Sequence, residues 1–221
     1  MSVAFGMAAA LARLKAGRPL IIVDADEVIL RFADGFDSFL RRQALFLDLT
    51  SYRLHGNVRR LDDRSPVLDV EVTALLEEFR SGLDWLEPVE GAREALAALS
   101  GVAEVAILTN ITEMQAEARL RNLARLGLDF PLIPNAGPKG PAVKTLASHA
   151  HAPAWFIDDI PQHLASAAEH APKVTRVHLV GDARLKPLLP PSPHANLYAN
   201  DWAEAAAHIL DRLESRHATG N

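Results

Sequence analysis

The sequence predicts an α/β fold: a Rossmann-like, mostly parallel sheet with helices on both faces, plus a small helical cap inserted after the first strand. Three observations carry that expectation. Short apolar runs alternate with segments of helical periodicity, the rhythm of a parallel sheet covered by crossover helices. Three of the runs stop at polar residues, at Asp24, at Thr109-Asn110 and at Asp158-Asp159. The rhythm breaks between about residues 33 and 87, where only helical spacing is visible. The predicted division is 1-32 and 88-221 for the core domain and 33-87 for the cap.

In chain order, Met1 to Gly17 is apolar and Ala-rich, with Arg13 and Lys15 at its end. A secretory signal carries its charge before the apolar stretch, so a short packed helix is expected instead. Gly17-Arg18-Pro19 is a breaker. Leu20 to Val23 reads as a buried strand, and Asp24 should sit at its C-terminal edge, because a carboxylate cannot continue a buried strand cheaply. In the insertion, Phe36, Phe39, Leu40, Ala44 and Leu47 recur at helical spacing. Tyr52 to Pro66 is polar and irregular, and Asp69 to Arg80 is helical again; no strand is predicted there. Arg41, Arg42, His55, Asn57, Arg59 and Arg60 are read as a solvated face.

From Glu87 the α/β rhythm resumes. Glu90 to Leu99 is a helix stopped by Gly101, and Val102 to Leu108 is a second strand. Thr112 and Gln115 have capping-box spacing and should open a helix running to Gly127. Phe130 to Ile133 is a short strand, Pro134 to Pro141 a loop carrying Lys139, and Ala142 to Ala150 a helix. Ala154 to Ile157 is a third clear strand. Pro161 to His170 is a helix with Pro in its first turn, where Pro is tolerated. Strands at Thr175 to Val180 and Asn196 to Ala199 precede a closing helix over Asp201 to Arg216. His163 and His170 are read as surface or packing residues.

The 221 residues suffice for one core domain and a small insertion. With 49% apolar and 23% charged residues the composition is that of a soluble globular chain. The net charge of −5 argues against a nucleic-acid partner. No apolar run reaches the ~18 residues needed to span a bilayer, so no membrane partner is expected. There is no cysteine, hence no disulfide, no thiolate zinc site and no cysteine nucleophile, which fits a reducing cytoplasm. A cytoplasmic monomer or homodimer is the expectation.

Parallel strands place their C-terminal ends on one edge, where ligands bind. Asp24, Asp26, Thr109, Asn110, Asp158 and Asp159 can therefore converge, with Lys139 reaching them from its loop. Four carboxylates would repel one another, and a divalent cation makes the cluster tolerable. Oxygen donors without cysteine or a histidine pair favour Mg²⁺. A carboxylate such as Asp24 can attack phosphorus. Thr109, Asn110 and the neighbouring N–H groups can bind phosphoryl oxygens, and Lys139 can neutralise charge on the transferring group. Asp26 can protonate the leaving oxygen and then activate water.

This ordered set resembles the haloacid dehalogenase superfamily of phosphohydrolases. Its motifs are matched by Val23-Asp24-Ala25-Asp26-Glu27-Val28, by Ala106-Ile107-Leu108-Thr109-Asn110, by Gly137-Pro138-Lys139-Gly140-Pro141 and by Phe156-Ile157-Asp158-Asp159. The resemblance covers about residues 18 to 215. It implies Asp24 as nucleophile and metal ligand, and Asp26 as general acid/base that also gives its carbonyl to the metal. It implies Thr109 and Lys139 as the phosphoryl holders, and Asp158 and Asp159 as Mg²⁺ ligands or orienters. The implied substrate is a small phosphorylated metabolite.

Glu27 departs from the pattern, standing where Gly is frequent. Lys144 competes with Lys139 for the third motif; Lys139 is preferred because it lies in the loop. A phosphomutase would use the same phospho-Asp24. A dehalogenase has no need of an acid at position 26. A receiver-like phosphoacceptor or scaffold is disfavoured, because Lys139 precedes Asp158-Asp159 and no expected catalytic position is replaced.

Overall fold

The computed structural model describes residues 4–219; Met1–Val3 and Gly220–Asn221, the outermost parts of the predicted first helix and polar tail, lie outside them. Helix α1 (Met7–Arg13) leads into β1 (Leu20–Val23). The chain then forms α2 (Phe32–Arg41), β2 (Leu45–Leu47), β3 (Val58–Arg60) and α3 (Asp69–Arg80). It continues through α4 (Ala92–Val102), β4 (Glu104–Asn110), α5 (Glu113–Arg125), β5 (Leu132–Asn135) and α6 (Gly140–Ala150). It closes with β6 (Ala154–Asp158), α7 (Pro161–His170), β7 (Thr175–Leu179), β8 (Leu197–Ala199) and α8 (Trp202–Thr219). No helix among the described residues is long and apolar enough to cross a membrane.

Six strands make one sheet in the order β5-β4-β1-β6-β7-β8, and every pair is parallel. The strands are buried on both faces, so their sequences read as continuous apolar runs. Alternate side chains divide between two cores. Ile21, Val23, Ile107 and Ile157 face one cluster, and Leu20, Ile22, Leu108 and Phe156 face the other. Val23 stands opposite both Ile107 and Ile157, so β1 ends level with its two neighbours. The next residue, Asp24, still donates its N–H to Ile157 O at 2.9 Å. Strand order reverses about β1, which opens a crevice at the carboxyl edge.

Three expectations are corrected. The insertion is not purely helical: β2 and β3 pair antiparallel, with Phe46 opposite Arg59. Strands of three residues are too short for a period of two to declare itself. Gly101 does not stop α4 but lies within its last turn. It is exposed with nothing near its missing Cβ, and an exposed helical Gly costs only about 1 kcal/mol against Ala. β4 and β5 also begin two residues later than expected. Within the insertion, α2 and α3 are joined by aromatic rings: Phe79 lies 5.1 Å from Phe32, 5.3 Å from Phe36 and 5.6 Å from Phe39.

Lys139 owes its position to the close approach of α6 and α7. Gly140 N–H donates to Ser166 Oγ at 3.1 Å, and a Cβ on Gly140 would lie 2.2 Å from Ser166 O. Backbone cannot yield as a flexible side chain can. Gly140→Ala is therefore expected to destabilise the protein by about 1–3 kcal/mol. A lower urea midpoint at unchanged slope would show it; an unchanged midpoint would mean that the two helices part freely.

Candidate active site

The ends of β1, β4 and β6 and the N-terminus of α6 meet around Asp24. Asp24 Oδ1 accepts from Ala25 N–H at 2.7 Å and lies 2.6 Å from Lys139 Nζ. Oδ2 has no hydrogen bond to any described residue. Lys139 is fully buried and also donates to Asp158 Oδ2 at 2.8 Å. Asp158 Oδ1 accepts from Ile160 N–H at 2.9 Å and lies 3.1 Å from His163 Nδ1. Asp158 thus fixes the turn before α7 and holds the lysine at once. Lys144, the competing lysine, is exposed on α6 and lines a surface groove with His151 and Lys173.

Asp24, Asp26, Thr109, Asn110, Asp159 and His163 line one cavity of about 270 Å³. Phe32, Leu54 and Leu185 add apolar lining, and Tyr52 and Arg80 line it as well. Thr109 is buried at the end of β4. Asn110 Oδ1 accepts from Asn135 Nδ2 at 2.7 Å, and Asn110 Nδ2 lies 3.3 Å from His163 Nε2. The expected residues therefore come together. Asp26 and Asp159 point their carboxylates at other partners. Asp26 Oδ1 lies 2.6 Å from Arg119 Nη2, an ion pair whose angles fall outside those of a hydrogen bond. Asp159 Oδ2 accepts from the Tyr52 hydroxyl, and its Oδ1 is buried without a partner.

Tyr52, Arg119 and His163 are the residues that sequence reasoning missed. His163, read as surface or packing, touches Asp158 and lines the cavity. Its signal was its place in the first turn of the helix that follows Asp158. Arg119 is fully buried, and its Nε and Nη1 have no hydrogen-bond partner. It shares the buried stripe of α5 with Ala116 and Leu123, and a cation at a stripe position was a readable signal. Tyr52 lies in a stretch with no pattern. Asn57 holds that stretch in shape: it is buried, not part of a solvated face. Its Nδ2 donates to Ser51 O at 2.8 Å and Arg53 O at 2.6 Å, bracketing Tyr52.

Electrostatics separates the acids. Burial pushes Asp24 up to about 6, with the Lys139 charge pulling against it. Asp158 is equally desolvated, but the Lys139 charge and the His163 contact outweigh that and hold it below its ordinary value. Burial works against the Lys139 ammonium, and the charges of Asp158 and Asp24 more than offset it, so its proton is held tightly. Burial, and then the charges of Asp158 and Asp24, push Asp159 well above the usual carboxylate range. Burial likewise pushes Glu27 up to about 8, against the pull of the Ala33 N–H.

The donor set fits a divalent cation. A carboxylate oxygen from each of Asp24 and Asp158 and a ring nitrogen of His163 lie within 4.8 Å of one another. Asp24 Oδ2 is unengaged, and a carboxylate offers about four lone-pair sites, so Asp158 retains acceptor capacity beside its lysine. Asp26 and Asp159 stand next to this group and not within it.

Buried acids gathered round a lysine thus lie on the carboxyl edge of the sheet, where α/β domains bind ligands. No family model and no curated protein matches the sequence. Solved structures match the fold. An L-2-haloacid dehalogenase is 14% identical, with a TM-score of 0.60 over 87% of this chain and 100% of that one. A haloacid dehalogenase-like hydrolase from Streptococcus pneumoniae is 16% identical, with a TM-score of 0.57 over 87% and 98%. A subfamily IA, variant 1 hydrolase of the same superfamily from Geobacter sulfurreducens is 20% identical, with a TM-score of 0.56 over 91% and 99%. The chain has the haloacid dehalogenase-like hydrolase fold.

The buried Arg119 makes a stability prediction. Asp26→Ala leaves a buried guanidinium without its counter-ion and is expected to cost about 3–5 kcal/mol. Adding Arg119→Met should recover most of that loss, because an apolar replacement of the whole pair is often neutral. Urea midpoints of the single and double variants decide it. A double variant no more stable than Asp26→Ala would show that the pairing does not hold the helix.

Proposed function

We propose that the protein is a Mg²⁺-dependent phosphohydrolase that acts on a small phosphorylated metabolite through phospho-Asp24. The observation that carries this reading is the state of Asp24. One oxygen is fixed between Ala25 N–H and Lys139, and the other is free in a residue that lines a cavity with Thr109 and Asn110. A nucleophile held by one atom and open at the other is oriented for attack. Ligand sites commonly run from about 300 Å³ upward. The cavity volume of about 270 Å³ therefore favours a phosphoryl group with a short leaving group.

In the first step Asp24 Oδ2 attacks phosphorus, the bond to the ester oxygen breaks, and Asp26 gives that oxygen its proton. In the second, Asp26 takes a proton from water, the hydroxide attacks phosphorus, and the bond to Asp24 breaks. Thr109 and Asn110 bind the equatorial oxygens in both steps, and Lys139 neutralises charge as it builds. Asp24 and Asp158, with the Asp26 carbonyl, would hold Mg²⁺, which supplies further positive charge to the phosphoryl oxygens. Residues 33-87 act as the cap over this edge, with Tyr52 reaching Asp159.

The first test is turnover of phosphorylated metabolites and 4-nitrophenyl phosphate by purified protein, with Mg²⁺ and with EDTA. Turnover should need Mg²⁺, and Asp24→Asn should lower it at least about 10³-fold with the fold intact. No turnover of any compound, and no phosphate burst, would sink the proposal. Halide release from 2-chloropropionate in place of phosphate release would assign Asp24 to attack on carbon.

Asp26 has its own signature. Asp26→Asn should slow hydrolysis about 10²–10⁴-fold for alkyl phosphates and much less for 4-nitrophenyl phosphate, whose leaving group needs no proton. A loss independent of leaving-group pKa would remove the acid role from Asp26.

A further inference from the structure

Arg80 is a cation of the cavity that the fold leaves without a counter-ion. It ends α3, in the insertion, and lines the cavity with Asp24, Asp26 and Thr109. The other charged side chains of that lining have protein partners. Asp24 faces Lys139 and Asp26 faces Arg119. Glu27 takes the Ala33 N–H, Asp159 takes the Tyr52 hydroxyl, and His163 lies 3.1 Å from Asp158. Arg41, Arg59 and Arg60 of the same insertion reach acids as well, at Asp37, Asp48 and Glu71. The Arg80 guanidinium has neither an ion pair nor a hydrogen bond with a described residue. It lies over the Phe32 ring instead, with Cζ 5.7 Å from the ring centroid.

That contact is informative. A cation in the last turn of a helix is favourable, which accounts for the charge but uses none of its donors. A guanidinium held by an aromatic face likewise keeps its N–H groups free. Phe32 itself lines the cavity, so the contact keeps the guanidinium beside it, and Arg80 is exposed, so its donors can be reached. The other polar groups there are engaged: the Tyr52 hydroxyl is on Asp159, and Asn110 Nδ2 sits between Gly137 O and His163 Nε2. The phosphoryl group belongs with Asp24, Thr109 and Lys139, which come from the core. Arg80 comes from the insertion, and therefore meets what the phosphoryl group is attached to.

We propose that Arg80 determines specificity by binding a carboxylate on the leaving group, so that the preferred substrates are phosphate esters of short hydroxy acids. This inference rests on the phosphohydrolase reading above. The planar fork of a guanidinium matches the two oxygens of a carboxylate. A second phosphoryl group would meet the same donors, but a cavity of about 270 Å³ that already takes one leaves room for the smaller, planar anion. Solvent screens an exposed guanidinium, so the carboxylate should be worth about 5- to 30-fold in kcat/KM.

The test compares 3-phosphoglycerate with glycerol 3-phosphate, which carries a hydroxymethyl group in place of the carboxylate. 4-Nitrophenyl phosphate serves as reference, on the full chain with Mg²⁺. The wild type should prefer the acid by that factor. Arg80→Gln should bring the two esters to parity, and Arg80→Glu should reverse the preference. Arg80→Lys, which keeps the charge and loses the fork, should retain part of it. A ratio of two substrates on one preparation is unaffected by partial loss of folded protein. Parity in the wild type overturns the inference. So does an Arg80→Gln variant that loses rate equally on both esters, which would put the guanidinium on the phosphoryl group, and so does a preference that survives Arg80→Gln. In each of these cases turnover of 4-nitrophenyl phosphate leaves the phosphohydrolase reading standing. Failure to turn over any of the three esters overturns both.

Discussion

Lys139 Nζ lies 2.6 Å from Asp24 Oδ1 and 2.8 Å from Asp158 Oδ2, with the lysine and Asp158 fully buried. The three charges come from three elements: the end of β1, the residue before α6 and the end of β6. Each is tolerable only because the others are there, since a buried charge without its partner costs several kcal/mol. The ion group therefore fixes more than a side chain. It requires β1 and β6 to be neighbours with level ends, which their register supplies. It requires α6 to begin directly behind them, which the absence of a side chain on Gly140 permits.

Around that satisfied centre lies a ring of groups that the fold leaves incomplete. Asp159 Oδ1, Glu27 Oε2 and two nitrogens of Arg119 are buried without partners. In a low-dielectric site such groups are costly, and proteins keep them where chemistry uses them. The adjacent acids Asp158 and Asp159 illustrate the division of labour. The lysine holds one well ionised, while burial and the neighbouring negative charge drive the other toward its neutral form. Environments that push like groups apart are how a single site comes to contain acids with different duties.

Legibility in the sequence followed the range of the interaction. The strand ends could be read because an apolar run that stops at Asp24, Thr109 or Asp158 is a local pattern. The parallel sheet followed from the repetition of that pattern. The capping box of Thr112 and Gln115 is local too, and it is formed. Tyr52 meets Asp159 across 107 positions, and no local pattern announces such a contact. The β2–β3 pair was missed because three residues make a strand too short to show alternation. Gly101 was over-read: a helix breaker costs little when solvent surrounds it and the next turn is held by Ala103 N–H on Leu99 O. Arg119 was legible in principle, as a cation on the apolar stripe of α5, but its partner was not.

The position after Asp26 shows how these scales meet in one residue. The carbonyl of Glu27 takes the N–H of Gly181 in the segment after β7, and its Oε1 takes the N–H of Ala33 at the start of α2. One residue thus joins the turn after β1 to the far half of the sheet and to the first helix of the insertion. Glycine would keep only the first of these links. The side chain adds the second, and in doing so buries an oxygen, Oε2, that has no hydrogen-bond partner. The same carboxyl therefore ties the start of α2 to the turn that follows Asp24 and Asp26, so the insertion and the carboxyl edge of β1 cannot vary independently at this point in the chain.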